Sequence, residues 1–209
     1  MKKIGITQRL DSIKEYDEVR CSLDIKWEEL LKTIDAIGIS LPINFDFNFL
    51  NDIDISGIIL TGGNDLSSKS NDKLSSLRDK SENLYLKYAL KKSLPVYGVC
   101  RGMQFLAEYF GSTLSEISNH VSCRHNITVI KESNFTSSLK KIKNVNSYHN
   151  FAIDQLGNDL EAIAICNDDN TIEAIEHRKN KIFAQMWHPE RENPFNKYNI
   201  EVFRDFFNC

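Results

Sequence analysis

The segment Pro95-Val96-Tyr97-Gly98-Val99-Cys100-Arg101-Gly102-Met103-Gln104 runs from apolar β-type residues into helix-forming sequence through G-x-C-x-G. A strand that turns abruptly into a helix is the layout of a nucleophile elbow, with Cys100 where a serine hydrolase carries its serine. Such a turn projects one side chain into open space. Gly98 and Gly102 let neighbouring backbone approach without a Cβ in the way. The new helix aims its free N–H groups and positive end at the sulfur, which favours a thiolate and an oxyanion beside it. The segment points to an α/β enzyme with a cysteine nucleophile.

Working outward, the N-terminal side alternates strands and helices. Residues 3–7 read as a strand. Residues 23–36 read as a helix with Trp27, Leu30, Leu31 and Ile34 on one face, ended by Gly38. Residues 39–42 and 56–60 read as buried strands, the second stopping at Thr61-Gly62-Gly63-Asn64-Asp65. A polar loop over 67–73 leads to a helix over 77–92, in which Arg78 and Glu82 stand at i,i+4. The helix after the elbow spans 101–110. Beyond it the character changes: 126–130, 161–165 and 171–176 read as strands, and 177–180 as a hairpin connection into 181–187. Residues 198–207 close the chain as a helix. This order implies a mostly parallel central sheet flanked by helices, with an antiparallel β extension in the C-terminal half. No repeat, low-complexity tract or linker interrupts it, so residues 1–209 are expected to form a single catalytic domain.

Composition narrows the function. The chain has 209 residues, 41% hydrophobic and 26% charged, with a net charge of −3. That balance lacks the basic face a nucleic-acid partner needs. No apolar run reaches the length of a membrane span. The opening Met1-Lys2-Lys3-Ile4-Gly5-Ile6 meets Thr7, Gln8, Arg9 and Asp11 too soon to be a signal segment, so a strand is expected. Five cysteines, widely spaced and without C-x-x-C, argue against a disulfide framework and for a reducing cytoplasm. Cys21, Cys123, Cys166 and Cys209 read as small hydrophobes. His120 and His125 can be drawn with Cys123 as a metal cluster, but no second cysteine pair completes it, so no metal is expected.

A cysteine nucleophile needs a base, and the base an orienter. Trp187-His188-Pro189-Glu190 supplies both. His188 follows an apolar strand and should stand at the sheet's carboxyl edge beside Cys100, where open α/β sheets bind ligands. Glu190 can reach back to the imidazole. Oxyanion donors are expected from the Arg101 N–H and from the glycine loop, at Gly63 with Gly62 as the shifted alternative.

Four ordered motifs carry a family resemblance: T-G-G-N-D (61–65), G-V-C-R-G-M-Q (98–104), N-S-Y-H-N (146–150) and W-H-P-E (187–190). With them the chain resembles the class I glutamine amidotransferase-like proteins, and most closely the γ-glutamyl hydrolase branch, peptidase family C26. The resemblance implies a flavodoxin-like fold, no cofactor and a small-molecule γ-glutamyl substrate. It implies that Cys100 attacks a γ-glutamyl amide and that His188 protonates the leaving nitrogen. A γ-glutamyl thioester is then opened by water. It also implies that Gln104, Ser147, Tyr148 and His149 surround the glutamyl head group, Ser147 and Tyr148 partly through backbone. Residues 16–27 resemble the entry segment of members linked to surface-polysaccharide biosynthesis. Arg20 and Arg124, with Arg9, Lys69 and Arg101, suit an anionic leaving group, and hydrolysis of γ-glutamyl-CDP-amidate fits. A glutaminase subunit feeding a partner synthetase and a γ-glutamyl-γ-aminobutyrate hydrolase stay open, as does a homodimer. The chain departs from the family pattern at Asn150, where Gln is usual, and at Trp187, where Phe is common.

Overall fold

The computed structural model describes residues 1–43, 47–133 and 136–209. In chain order the first half holds β1 (Lys2–Ile6), β2 (Arg9–Ile13), β3 (Glu18–Ser22), α1 (Lys26–Lys32), β4 (Ala36–Ser40), α2 (Phe47–Ile53) and β5 (Gly57–Leu60). Then come α3 (Lys73–Lys92), β6 (Val96–Val99), α4 (Arg101–Tyr109), β7 (Thr113–Glu116) and β8 (Val121–Val129). The remainder is α5 (Thr136–Leu139), β9 (Asn144–Tyr148), β10 (Phe151–Gln155), β11 (Leu160–Cys166), β12 (Ile172–His177), β13 (Ile182–Gln185) and α6 (Lys197–Phe207).

One nine-stranded sheet, in the order β4-β1-β5-β6-β13-β12-β11-β8-β9, runs through both halves. The strands from β4 to β13 pair in parallel, and those from β13 to β9 antiparallel. The expected parallel sheet with its antiparallel extension is what forms. Side chains alternate across it because successive residues of a strand point to opposite faces. Ile59, Tyr97 and Phe183 pack on one face with Trp27 of α1 and Phe203, Phe206 and Phe207 of α6. Ile58, Leu60, Val96, Ile182 and Ala184 pack on the other with Tyr85 and Leu86 of α3 and Met103 and Leu106 of α4. Tyr97 stacks on Phe203 at 4.2 Å between ring centroids, which fixes the strand leading to the elbow.

Three local readings change. The first helix stops at Lys32 rather than near Gly38, because Asp35 takes a left-handed turn (φ 55°) that frees Ala36 to start β4. The helix before the elbow starts one turn earlier than expected, at Lys73, where the Asp72 carboxylate accepts from the Leu74 N–H. Residues 9–22 form a largely exposed β2–β3 hairpin.

The sheet topology sets the site. β6 and β13 are parallel neighbours, with Val99 beside Gln185. The chain therefore leaves both strands at the same carboxyl edge, Cys100 from one and His188 from the other.

Candidate active site

Cys100 sits between β6 and α4 with φ 53° and ψ −106°, a conformation side chains rarely adopt. Two features hold it there. Its N–H donates to the Gln185 carbonyl at 2.8 Å, and its carbonyl accepts from Gln104 N–H in the first helical turn at 3.1 Å. Gly102 is required by a close approach, since a Cβ there would collide with the Leu60 carbonyl. Arg101 opens the helix, so its N–H has no intrahelical acceptor.

His188 and Glu190 are both buried. His188 Nδ1 lies 2.6 Å from Glu190 Oε1, and the ring also hydrogen-bonds Cys100. Burial disfavours the charged imidazole. The negative charges of Cys100 and Glu190, and the hydrogen bonds to both, outweigh it and raise His188 to about 10. Asn146 fixes the histidine backbone from both sides: its Oδ1 accepts from the His188 N–H and its Nδ2 donates to the His188 carbonyl, each at 2.8 Å. Trp187 is buried, with its indole N–H on Asn199 at 3.1 Å, and acts as a core anchor for this turn.

The loop 61–63 closes the third side. A Cβ at Gly62 would stand 2.7 Å from His188 Cε1, so the bare backbone packs against the imidazole. Gly63 has φ 127°, open only to glycine. Arg78 holds the loop from behind. Its guanidinium donates to the carbonyls of Gly62 at 2.9 Å and Thr61 at 2.7 Å, and to Glu82 at 3.0 Å. Glu82 and Asp79 also accept from Arg101. Burial, and secondarily Arg101, lower Arg78 to about 10, against the pull of Glu82. One buried carboxylate thus ties the glycine loop to the first residue after Cys100. The sequence shows Arg78 and Glu82 only as a helical pair.

The substrate-binding candidates divide. Gln104 is buried and donates to the Phe151 carbonyl at 3.0 Å. Tyr148 stands with its ring 5.8 Å from that of His188 and its face under Arg191. Ser147 and His149 point the other way, because neighbours on a strand alternate. Ser147 Oγ donates to the His120 carbonyl at 2.8 Å, and His149 is buried with Nδ1 3.1 Å from the Phe151 carbonyl. Their side chains thus face His120. Arg101 is committed to Glu82 and Asp79. Arg20 is exposed on the β2–β3 hairpin and paired with Glu18, and Arg124 is paired with Glu192 and Asn144. Neither is among the residues lining the cavity of about 240 Å³ beside His188 and Glu190. Its cations are Arg9, which the sequence indicates, and Arg191, which follows the W-H-P-E motif unnoticed.

A second buried group lies on the far side of β9. His120, His125, His149 and Glu173 bring four ligand-type atoms within 4.8 Å of one another. Cys123 is not among them; its Sγ lies 3.2 Å from the Asn119 carbonyl.

An elbow cysteine, a carboxylate-bound histidine and a glycine loop at one sheet edge define a cysteine hydrolase site of the amidotransferase type. The peptidase C26 family profile matches residues 3–190, and the chain belongs to that family of hydrolases acting on amide C–N bonds. Among its relatives, the gamma-glutamyl-CDP-amidate hydrolase of Campylobacter jejuni is 40% identical over 98% of this chain and 96% of that protein. A glutamine amidotransferase-like protein of Lactococcus lactis, YvdE, is 34% identical over 81% of each chain. The structure of PurLQS from Thermotoga maritima superposes with a TM-score of 0.73 at 18% identity, over 99% of this chain and 98% of that one, and shares the fold.

Proposed function

We propose that this chain hydrolyses a γ-glutamyl amide through a γ-glutamyl thioester on Cys100. The supporting observation is the strained elbow cysteine hydrogen-bonded to a histidine that a buried glutamate holds. In this reading the sulfur attacks the γ-carbonyl carbon. The negative charge moves to the carbonyl oxygen, opposite the N–H groups of Arg101 and Gly63. The His188 imidazolium gives its proton to the nitrogen as the C–N bond breaks. Water then loses a proton to the imidazole, attacks the thioester and releases glutamate. Glu190 keeps the ring in one orientation throughout. Donors aimed at such an oxyanion are worth roughly 3–4 kcal/mol each when removed.

The leaving group in this proposal is an anionic amidate, as in γ-glutamyl-CDP-amidate. Two observations favour it over an aliphatic amine. The relative named for that substrate matches over nearly its whole length. Arg9 and Arg191 line the cavity beside His188. The test compares kcat/KM for γ-glutamyl-CDP-amidate and γ-glutamyl-γ-aminobutyrate. The proposal expects a preference of about 100-fold or more for the amidate, two Arg contacts at roughly 1.5–3 kcal/mol each being ample. It also expects Arg9→Ala and Arg191→Ala to erode that preference selectively. Equal rates, or faster cleavage of the aliphatic amide, would overturn it.

The names of other relatives favour a second reading, a glutaminase that passes ammonia to a partner synthetase. Glutamine turnover that rises only when a synthetase is added would support it. The five unpaired cysteines fit the reducing cytoplasm expected for either enzyme.

A further inference from the structure

We propose that His120, His125, His149 and Glu173 form a zinc site that braces the strand behind the catalytic histidine. All four side chains are at least nine-tenths buried, and Glu173 is wholly shut from solvent. Glu173 Oε1 lies 3.7 Å from His120 Nδ1, 3.6 Å from His125 Nε2 and 3.6 Å from His149 Nε2. These separations are too long for hydrogen bonds. They are close to the edge of a tetrahedron built on zinc bonds of about 2.0–2.1 Å, which is roughly 3.4 Å.

The hydrogen bonds that are missing point the same way. Neither oxygen of Glu173 has a partner, nor does either ring nitrogen of His125 or Nε2 of His149. Five unsatisfied buried polar atoms on three neighbouring residues are far outside what native interiors tolerate. Two of the remaining ring nitrogens, those of His120 and His149, are engaged outside the cluster. His120 Nε2 lies 2.9 Å from Asp169 Oδ2, and His149 Nδ1 lies 3.1 Å from the Phe151 carbonyl. Both partners only accept, so those nitrogens carry the protons. With the protons so placed, His149 Nε2 turns a lone pair toward the carboxylate, as does His120 Nδ1, which also lies 3.3 Å from Ser147 Oγ. That arrangement repels itself unless a cation sits between. Metal-bound histidines characteristically give their second nitrogen to a carboxylate or carbonyl in this way.

Three imidazoles and one carboxylate in tetrahedral array suit Zn²⁺. Four protein ligands leave no open position, so the ion is structural rather than catalytic. It would join β8, the β9–β10 turn and β12, which are otherwise held by strand pairing. Asn146, two residues before the ligand-flanking Tyr148, grips the His188 backbone. An opening of about 850 Å³, lined in part by His120, His125 and Asp169, gives the ion a route in.

The test uses the full chain, purified without metal-affinity chromatography, dialysed against Zn²⁺ and gel-filtered. Elemental analysis is expected to find about one zinc per chain, and X-ray absorption a shell of nitrogen and oxygen at about 2.0–2.1 Å with no sulfur. Cys100→Ala should keep the zinc. His125→Ala and Glu173→Gln should lose most of it. Should those variants fail to fold, the wild-type chain reconstituted with Co²⁺ should show the visible bands of four-coordinate cobalt. Three results would overturn the assignment: a wild-type chain that retains no stoichiometric zinc and gives no such bands; zinc undiminished in folded Glu173→Gln; or a sulfur shell at about 2.3 Å, which would move the ion to the adjoining His120, Cys166 and Asp169.

Discussion

At the scale of single residues, the geometry around His188 makes a pH prediction. Its pKa is raised from 6.5 to about 10, with the negative charges of Cys100 and Glu190 overcoming burial. A raised histidine stabilises the fold fully below the unfolded value and loses that contribution as pH climbs through the folded one. The imidazolium is also the form that protonates a leaving nitrogen. kcat/KM should therefore hold through neutrality and fall toward pH 10. Glu190→Gln removes one of the two charges, and the falling limb should move down by a unit or more; an unmoved limb would count against Glu190 as the orienter. Gly62→Ala puts a Cβ 2.7 Å from His188 Cε1. A displaced base of this kind can cost ~100-fold in kcat. The melting temperature should change little, and a large drop would make the glycine structural instead. Cys100, His188 and Glu190 were readable as candidates because each stands in a short motif beside a strand end. Arg191 was not, because a charged residue after a turn reads as solvated surface.

Among secondary-structure elements, α3 carries the least expected result. Its sequence shows an ordinary i,i+4 ion pair, and the structure buries that pair behind the glycine loop. Arg78→Met would release the Thr61 and Gly62 carbonyls and leave Glu82 with only Arg101 and Thr7. Breaking a buried pair costs about 3–5 kcal/mol. Chemical denaturation should show a loss of that order, and kcat should fall while KM moves less; wild-type stability would show that the loop holds itself. Burial of this kind cannot be read from spacing, since exposed and buried ion pairs share one pattern. The β2–β3 hairpin is hard to read for a related reason: it is largely exposed, and the brief Val19–Cys21 alternation of β3 faces no core. α1 ends before its sequence indicates because an aspartate, Asp35, takes the left-handed turn usually given to glycine. The buried histidines were visible singly. The sequence also let His120 and His125 be drawn together, but not with His149 and Glu173, because β8, the turn after β9, and β12 meet only through the sheet.

At the scale of the whole molecule, the central strands β6 and β13 join the two halves of the chain in one sheet. Tyr97 at that seam packs against three phenylalanines of α6. The expectation of one domain thus becomes a measurable claim: calorimetry should give a single transition with matching calorimetric and van't Hoff enthalpies, and two resolved transitions would contradict it. A parallel sheet with an antiparallel extension was legible, since strands alternating with helices followed by hairpins leave few arrangements, whereas the strand order itself was not. The proposed hydrolysis requires a covalent bond at Cys100. Rapid-quench intact mass spectrometry on the wild-type chain with a γ-glutamyl amide should trap one γ-glutamyl adduct, mapped by digestion to the peptide bearing Cys100 and absent in Cys100→Ala. Undiminished turnover in Cys100→Ala, or an adduct mapped to another residue, would contradict it.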